Sequence, residues 1–239
     1  MPAADTNTLR VESLSKRFGE FWALRDVSFS VRSSEVLGLI GPNGSGKTTL
    51  FRCIAGLSPA SDGSVFAGDA EIPPHQRKEH LFFMPDGARP WSEQTVAWAL
   101  RYVAGLYGAT MDRAWSLATT LSLDHLLGSR LGSLSKGEHR RVMLAVGLLT
   151  PHETLMLDEP FDGLDLRQTR DVMRVIREAA RDGRTMFLSI HQLIDAERIC
   201  DRLVLLSGGR VVGEGTLDEL RARAETASGG LEEVFLALT

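Results

Sequence analysis

Apolar residues recur along the chain with two periods. Short runs are apolar at every position or at every second one, and between them lie longer stretches that repeat at three and four. Residues 9–14 and 23–31 read as strands. In the second, Val27, Phe29 and Val31 alternate with Ser28, Ser30 and Arg32, which predicts one buried face. Val36-Leu37-Gly38-Leu39-Ile40 is apolar throughout, as in a strand covered on both faces. Leu50, Phe51, Ile54, Ala55 and Leu57 follow at helical spacing. Ser61-Asp62-Gly63 signals a turn before a strand at 64–67, and 80–84 is a further short strand ending at Pro85-Asp86-Gly87.

Residues 93–149 read as mostly helical. Val96, Leu100, Val103, Leu106 and Tyr107 recur at helical spacing, as do Ala114, Leu117, Ala118 and Leu121, then Val142, Ala145, Val146 and Leu149. The helix of the last group is expected to begin near His139. Trp91, Trp98 and Trp115 lie in or beside this region and read as core or interface anchors. Strands at 154–157, 185–190, 202–206 and 211–214 then alternate with helices at 166–181 and 192–200. Such alternation predicts a mostly parallel sheet with helices on both faces. Arg170, Arg174, Arg177 and Arg181 form a stripe interleaved with Asp171 and Glu178, which reads as a solvated face. Residues 1–7 read as a loose start.

Composition narrows the picture only slightly. The 239 residues suffice for one sizeable domain. A net charge of −4 supplies no basic footprint for nucleic acid, so no nucleic-acid partner is expected. Cys53 and Cys200 lack metal-ligand spacing and read as buried thiols of a cytoplasmic protein. No stretch approaches the about 20 apolar residues of a membrane-spanning helix, and no signal peptide is apparent.

The chemistry begins where the apolar strand at 36–40 ends. Gly41-Pro42-Asn43-Gly44-Ser45-Gly46-Lys47-Thr48-Thr49 fits the P-loop pattern G-x-x-x-x-G-K-S/T, with a strand before it and a helix after it. Glycines let backbone N–H groups turn inward onto phosphate oxygens, and the helix N-terminus adds its positive end. Lys47 can reach the β- and γ-phosphates, and the Thr48 hydroxyl can serve Mg²⁺. The plain alternative is a glycine-rich turn that carries a lysine. Further on, Thr154-Leu155-Met156-Leu157 ends in Asp158-Glu159. This strand is expected beside the P-loop strand, with Asp158 holding Mg²⁺ and Glu159 polarising the attacking water. The bland reading is a strand ending in a solvated acidic turn.

A third element is Leu134-Ser135-Lys136-Gly137-Glu138. P-loop, Leu-Ser-x-Gly element and Asp-Glu strand end, in this order, resemble the ATP-binding-cassette (ABC) ATPases over nearly the whole chain. The resemblance implies an α/β P-loop NTPase fold, with a mostly parallel sheet core, an antiparallel β subdomain and an inserted helical subdomain. It implies one domain over 1–239, with the nucleotide-binding core at 1–85 and 150–239 and the helical, signature-bearing part at 86–149. Ser135 and Gly137 would bind the γ-phosphate of ATP held by a second cassette. Residues 161–165 resemble the D-loop at the dimer interface, and His191 the switch histidine at the γ-phosphate. Phe18 resembles the aromatic residue that stacks on adenine, although Phe21 or Trp22 can serve and Phe18 can equally be core.

Two positions depart from the family pattern. Asp86 stands where glutamine is usual, as a possible further Mg²⁺ or water contact, and Glu138 replaces glutamine in the signature. Asp86, Lys136 and the tail Gly230-Leu231-Glu232-Glu233-Val234-Phe235 are similar to the ABC-2 class of export ATPases. The implied function is an ATP- and Mg²⁺-dependent subunit that pairs with a second ABC ATPase subunit, identical or different. It would power an integral membrane permease from the cytoplasmic face of the membrane, as an exporter, docking through residues 91–131. Two rivals stay open: an ABC ATPase acting on ribosomes or DNA, and a regulatory module that binds ATP without turnover.

Overall fold

The computed structural model describes residues 7–226 and 229–239. Of the loose start expected at 1–7, all but Asn7 lies outside the described residues. The chain opens with a long hairpin, β1 (Asn7–Phe18) and β2 (Phe21–Arg32). Both strands extend past the expected limits, because the ladder continues through Lys16-Arg17 to a Phe18–Phe21 pair. Backbone pairing tolerates polar side chains that face solvent, so the alternating pattern alone understates the strands. β4 (Asp62–Ala67) and the short β5 (Ala70–Glu71) complete a four-stranded antiparallel sheet of order β2-β1-β4-β5.

The second sheet begins with β3 (Val36–Ile40), followed by α1 (Lys47–Ile54). Past β5 and a 3₁₀ turn come α2 (Arg77–His80) and β6 (Leu81–Met84), so His80 ends a helix rather than starting the strand. The helical region holds α3 (Val96–Tyr107), α4 (Met111–Thr120) and α5 (Lys136–Leu149), with 3₁₀ turns at 124–126 and 131–133. α5 starts three residues before the expected point because Ser135 and Glu138 form a capping box. Then follow β7 (Thr154–Asp158), α6 (Leu166–Arg181), β8 (Thr185–Ile190), α7 (Leu193–Ile199), β9 (Arg202–Ser207) and β10 (Arg210–Gly215). Besides α2, two more helices went unforeseen, α8 (Leu217–Arg223) and α9 (Leu231–Leu238); all three are too short for periodicity to declare them.

The six strands run in the order β10-β9-β3-β8-β7-β6, parallel except for β10. One expectation is corrected here. The Asp-Glu strand β7 does not lie beside the P-loop strand β3, because β8 is inserted between them. Each strand sends alternate residues to opposite faces, and both faces are covered. Leu37, Leu39, Met156, Phe187, Val204 and Leu206 pack with Leu50 and Phe51 of α1 and with the β1–β2 hairpin. Val36, Ile40, Leu155, Leu157, Leu188 and Leu205 pack on the other side with Val96, Leu100 and Val142 of the helical region and Val172 of α6. That double burial is why these strands read as unbroken apolar runs.

Several periodic residues face outward instead: Leu57, Leu106 and Tyr107 are exposed. Two arginines of the α6 stripe are ion-paired, Arg174 with Glu178 at 3.3 Å and Arg177 with Asp201 at 2.5 Å. Both cysteines are free thiols, and burial pushes the pKa of each up. Among the described residues no helix is long and apolar enough to cross a membrane.

Candidate functional site

Parallel strands in register end at one edge, and this gathers distant residues. Ile40 pairs with Ile190, Ser189 with Asp158, and Leu157 with Met84. The residues that follow each pair, Gly41, His191, Glu159 and the 85–87 segment, therefore line the same edge of the sheet.

At its centre the chain turns from β3 into α1 through a loop that only glycine permits at three places. A Cβ on Gly41 would overlap the Leu206 carbonyl oxygen, and Gly44 and Gly46 have φ of +83° and +109°, the left-handed region. Gly46 caps α1 without a side-chain bond, so the first N–H groups of the helix face an open site. Ser45 N–H donates to the Pro42 carbonyl at 3.1 Å. Outside the loop, Gly209 N–H donates to the Ser45 carbonyl and Arg25 N–H to the Gly209 carbonyl. The β9–β10 turn and β2 thus brace the loop, a support that no sequence motif announces. Lys47 is buried, and its Nζ donates to the Gly41 and Pro42 carbonyls at 2.6 and 3.3 Å. Burial lowers its pKa, while Glu159 and Asp158 act in the opposite direction. Lysine and both carboxylates thus share one electrostatic neighbourhood. Thr48 is exposed and Thr49 half-buried at the start of α1.

Ser189 of the inserted strand links the two halves of the edge. Its hydroxyl donates to Asp158 Oδ1. Glu159 N–H donates to the Ser189 hydroxyl and carbonyl oxygens at 3.0 and 3.1 Å. These bonds hold Glu159 at φ +51°, a left-handed conformation that costs on the order of 1 kcal/mol for a side-chain-bearing residue. His191 Nδ1 lies 3.7 Å from Glu159 Oε2. Ser189 was overlooked in the sequence; its only trace there is a polar residue interrupting Met186–Ile190. Asp158 Oδ2 is buried and makes no hydrogen bond. An acceptor buried without a donor suits a cation. A hard divalent ion that takes one or two protein oxygens and fills its shell with phosphate and water matches the Asp158 and Thr48 donor set.

The aromatic candidates lie at the tip of the β1–β2 hairpin. Phe18 is 53% exposed, which removes the core alternative. Of Phe18, Phe21 and Trp22, Phe18 lines a hollow of about 430 Å³ together with Thr49, Arg52, Leu57, Ser58 and Pro85.

The signature residues lie on α5. Ser135 is exposed; its Oγ accepts from Glu138 N–H, and its own N–H donates to Glu138 Oε2 at 2.8 Å. Glu138 therefore completes the cap, and that bond holds its carboxyl below the usual range. Gly137 is buried: a Cβ there would meet the Gly163 carbonyl at 2.5 Å. Asp86 is engaged as well. Its Oδ1 accepts from Arg140 Nη2 at 2.7 Å and lies 3.7 Å from Lys136 Nζ. It reaches a metal only by exchanging that pair.

A strand, a glycine-bent loop with a buried lysine, and two carboxylates on one sheet edge are the makings of a P-loop ATPase. The comparisons give the family. The ABC transporter family model matches residues 24–162. The chain is 31% identical over 216 residues to an uncharacterized ABC transporter ATP-binding protein of Methanocaldococcus jannaschii, covering 89% of this chain and 79% of that one. It is 32% identical to the lipopolysaccharide export system ATP-binding protein of Escherichia coli, covering 89% and 92%. It is also 34% identical to a sulfate/thiosulfate import ATP-binding protein of Rhizobium meliloti, covering 89% of this chain but 60% of that one. A solved ATP binding subunit of an ABC transporter superposes with a TM-score of 0.88 at 30% identity, over 97% of this chain and 99% of that one. The chain belongs to the ABC transporter family, as its ATP-binding and ATP-hydrolysing component.

Proposed function

We propose that this ATPase works as one of a pair of cassettes that close on ATP and Mg²⁺ and so drive a separate membrane subunit. The observation that carries the reading is the convergence of Lys47, Asp158, Glu159 and His191 at one strand edge, with Ser189 fixing the two carboxylate-bearing residues. The backbone of Gly41, Pro42, Asn43, Gly44, Ser45, Gly46, Thr48 and Thr49 cradles the phosphates, and Phe18 stacks on adenine. Lys47 exchanges the Gly41 and Pro42 carbonyls for phosphate oxygens. Thr48 and Asp158 are the residues to hold Mg²⁺, which when bound neutralises β- and γ-phosphate charge. Glu159 accepts a proton from the water that attacks the γ-phosphorus, the bond to the bridging oxygen breaks, and ADP and phosphate result. His191 steadies the Glu159 carboxylate.

Ser135 and Gly137 face the γ-phosphate of the ATP held by the second cassette. Their support is the exposed Ser135 at the N-terminus of α5, where the helix dipole favours an anion. Residues 86–149 act as the helical unit that docks on the membrane subunit. The stacked Trp98 and Tyr102, 4.9 Å apart and partly exposed, supply apolar contact area there. That docking puts the protein on the cytoplasmic face of the membrane without a span of its own. We assign the direction as export, supported by the lipopolysaccharide export relative. Import is the second reading, favoured by the sulfate/thiosulfate relative of similar identity.

Phosphate release from Mg·ATP, with and without membranes from the source cell, tests the proposal. Turnover together with retention on those membranes is the expected result. Co-sedimentation with ribosomes instead would defeat it. Substrate retained inside a deletion strain marks export; failed uptake marks import.

A further inference from the structure

We infer that Arg140 is a positioning residue for this ATPase and the obligate electrostatic partner of Asp86; the inference rests on the ATPase reading above. Arg140 lies in α5 with a side chain 6% exposed. Its Nη1 donates to the Asp158 carbonyl at 3.1 Å, and its Nη2 to Asp86 Oδ1 at 2.7 Å and Asp162 Oδ2 at 3.4 Å. One guanidinium therefore ties the signature helix to three segments: the end of β7, the loop after β6, and the loop after Glu159. Lys136, one turn earlier on α5, meets the same two carboxylates, Asp162 and Asp86. Two cations face two carboxylates, so the cluster is neutral.

Packing does not hold Asp86 in place. A cavity of about 130 Å³ separates the 84–89 segment from α5, lined by Pro85, Asp86, Arg89, His139, Arg140 and Met143. The ion pair is what keeps the Asp86 carboxylate on the helix side. Without Arg140, the ion-pair partner left to Asp86 among the described residues is the more distant Lys136, and its charge is less firmly held away from Asp158 and Glu159. A third negative charge there repels the Glu159 carboxylate from its place beside the attacking water, a loss felt in the chemical step rather than in ATP binding. A planar fork reaches all three acceptors; a lysine ammonium at the same place does not. An acidic residue at 86 is thus workable because Arg140 takes up its charge.

The test is a double-mutant cycle on the full chain, with kcat, KM for ATP and melting temperature measured for each variant. Arg140→Gln is expected to lower kcat about 10–100-fold with KM changed less than about threefold. Asp86→Gln is expected to lower kcat less than about fivefold, and Arg140→Gln with Asp86→Gln to recover to within about fivefold of the parent. The melting deficit of Arg140→Gln is expected to persist in the double variant, because the bond to the Asp158 carbonyl stays lost. Turnover that recovers while melting does not is a result no merely structural role gives. A double variant as slow as Arg140→Gln overturns the pairing, and so does turnover that simply follows melting temperature. If Arg140→Gln does not fold, the same cycle on Arg140→Met, which keeps the side-chain length and removes the charge, decides. A parent chain that hydrolyses no ATP defeats the ATPase reading itself, whereas an active parent without rescue defeats only the pairing.

Discussion

The loop after β3 and the start of α5 are both helix N-termini, and they are built in opposite ways. The first is enclosed by its own chain. Lys47 bonds back to the Gly41 and Pro42 carbonyls, Ser45 to Pro42, and the β9–β10 turn clamps the outside. The second is capped and outward-facing, with Ser135 exposed and its cap closed by Glu138. Beneath it, Gly137 and Arg140 are buried against the loop after Glu159 and the end of β7. One terminus is a finished cradle; the other is a presented edge wired to the carboxylates from behind. On the proposed reading, the difference means that one chain holds a nearly complete binding site and half of a second one. A change in the first should therefore act within the monomer, and a change in the second only across a dimer.

The largest effect that sharpens this contrast is expected from Glu159→Gln. Loss of general-base assistance is expected to slow hydrolysis by about 10²–10⁴ while ATP binding persists. Size exclusion with light scattering should then find a dimer with ATP but not with ADP, which lacks the bridging phosphate. Lys47→Ala belongs to the cradle. It is expected to cut turnover by about 100-fold or more through lost phosphate contact, with ATP binding weakened by calorimetry and the circular dichroism unchanged.

Ser135→Arg probes the presented edge. In the Glu159→Gln background it is expected to abolish the ATP-dependent dimer yet leave monomer ATP binding within about threefold, since the Ser135 side chain lies outside the cradle. Weakened binding in the monomer would erase the contrast between the two termini. If the isolated chain stays monomeric throughout, adding the native partner cassette is the control.

The smallest effect concerns Glu138. Its carboxyl is held below the ordinary value of 4.5, first by the Ser135 N–H. A lowered folded pKa means stability that is fully present above the unfolded value and is lost as pH falls through the folded one. Glu138→Gln keeps the reciprocal hydrogen bond but removes the charge at the helix N-terminus. It should cost about 0.5 kcal/mol near neutral pH. The difference from the parent should vanish in acid melts taken below the carboxylate range.

Much of the site was legible before folding because its parts are contiguous. Residues 41–49 carry their own turn chemistry, and Asp158-Glu159 follows directly on an apolar run. Helix 166–181 and strand 185–190 were also legible, since sixteen residues of one period and six of another leave little ambiguity. The long hairpin was understated because Lys16-Arg17 breaks the apolar pattern while the ladder continues. Glu138 read as a departure from the signature; in the fold it is half of a capping box.

By itself the sequence determined the covalently local chemistry: which strands are buried on both faces, which loop fits phosphate, and which strand ends in carboxylates. Periodicity and turn residues act over a few positions, and they suffice for that. Only the tertiary structure decided who neighbours whom. It inserted β8 between β3 and β7 and thereby made Ser189 the holder of Asp158 and Glu159. It braced the P-loop with Gly209, chose Phe18 over Phe21 and Trp22 for the hollow beside Thr49, and set Asp86 on Arg140 fifty-four residues away. Strand order and long-range ion pairs follow from closing loops and burying both sheet faces at once. No local pattern encodes that global condition.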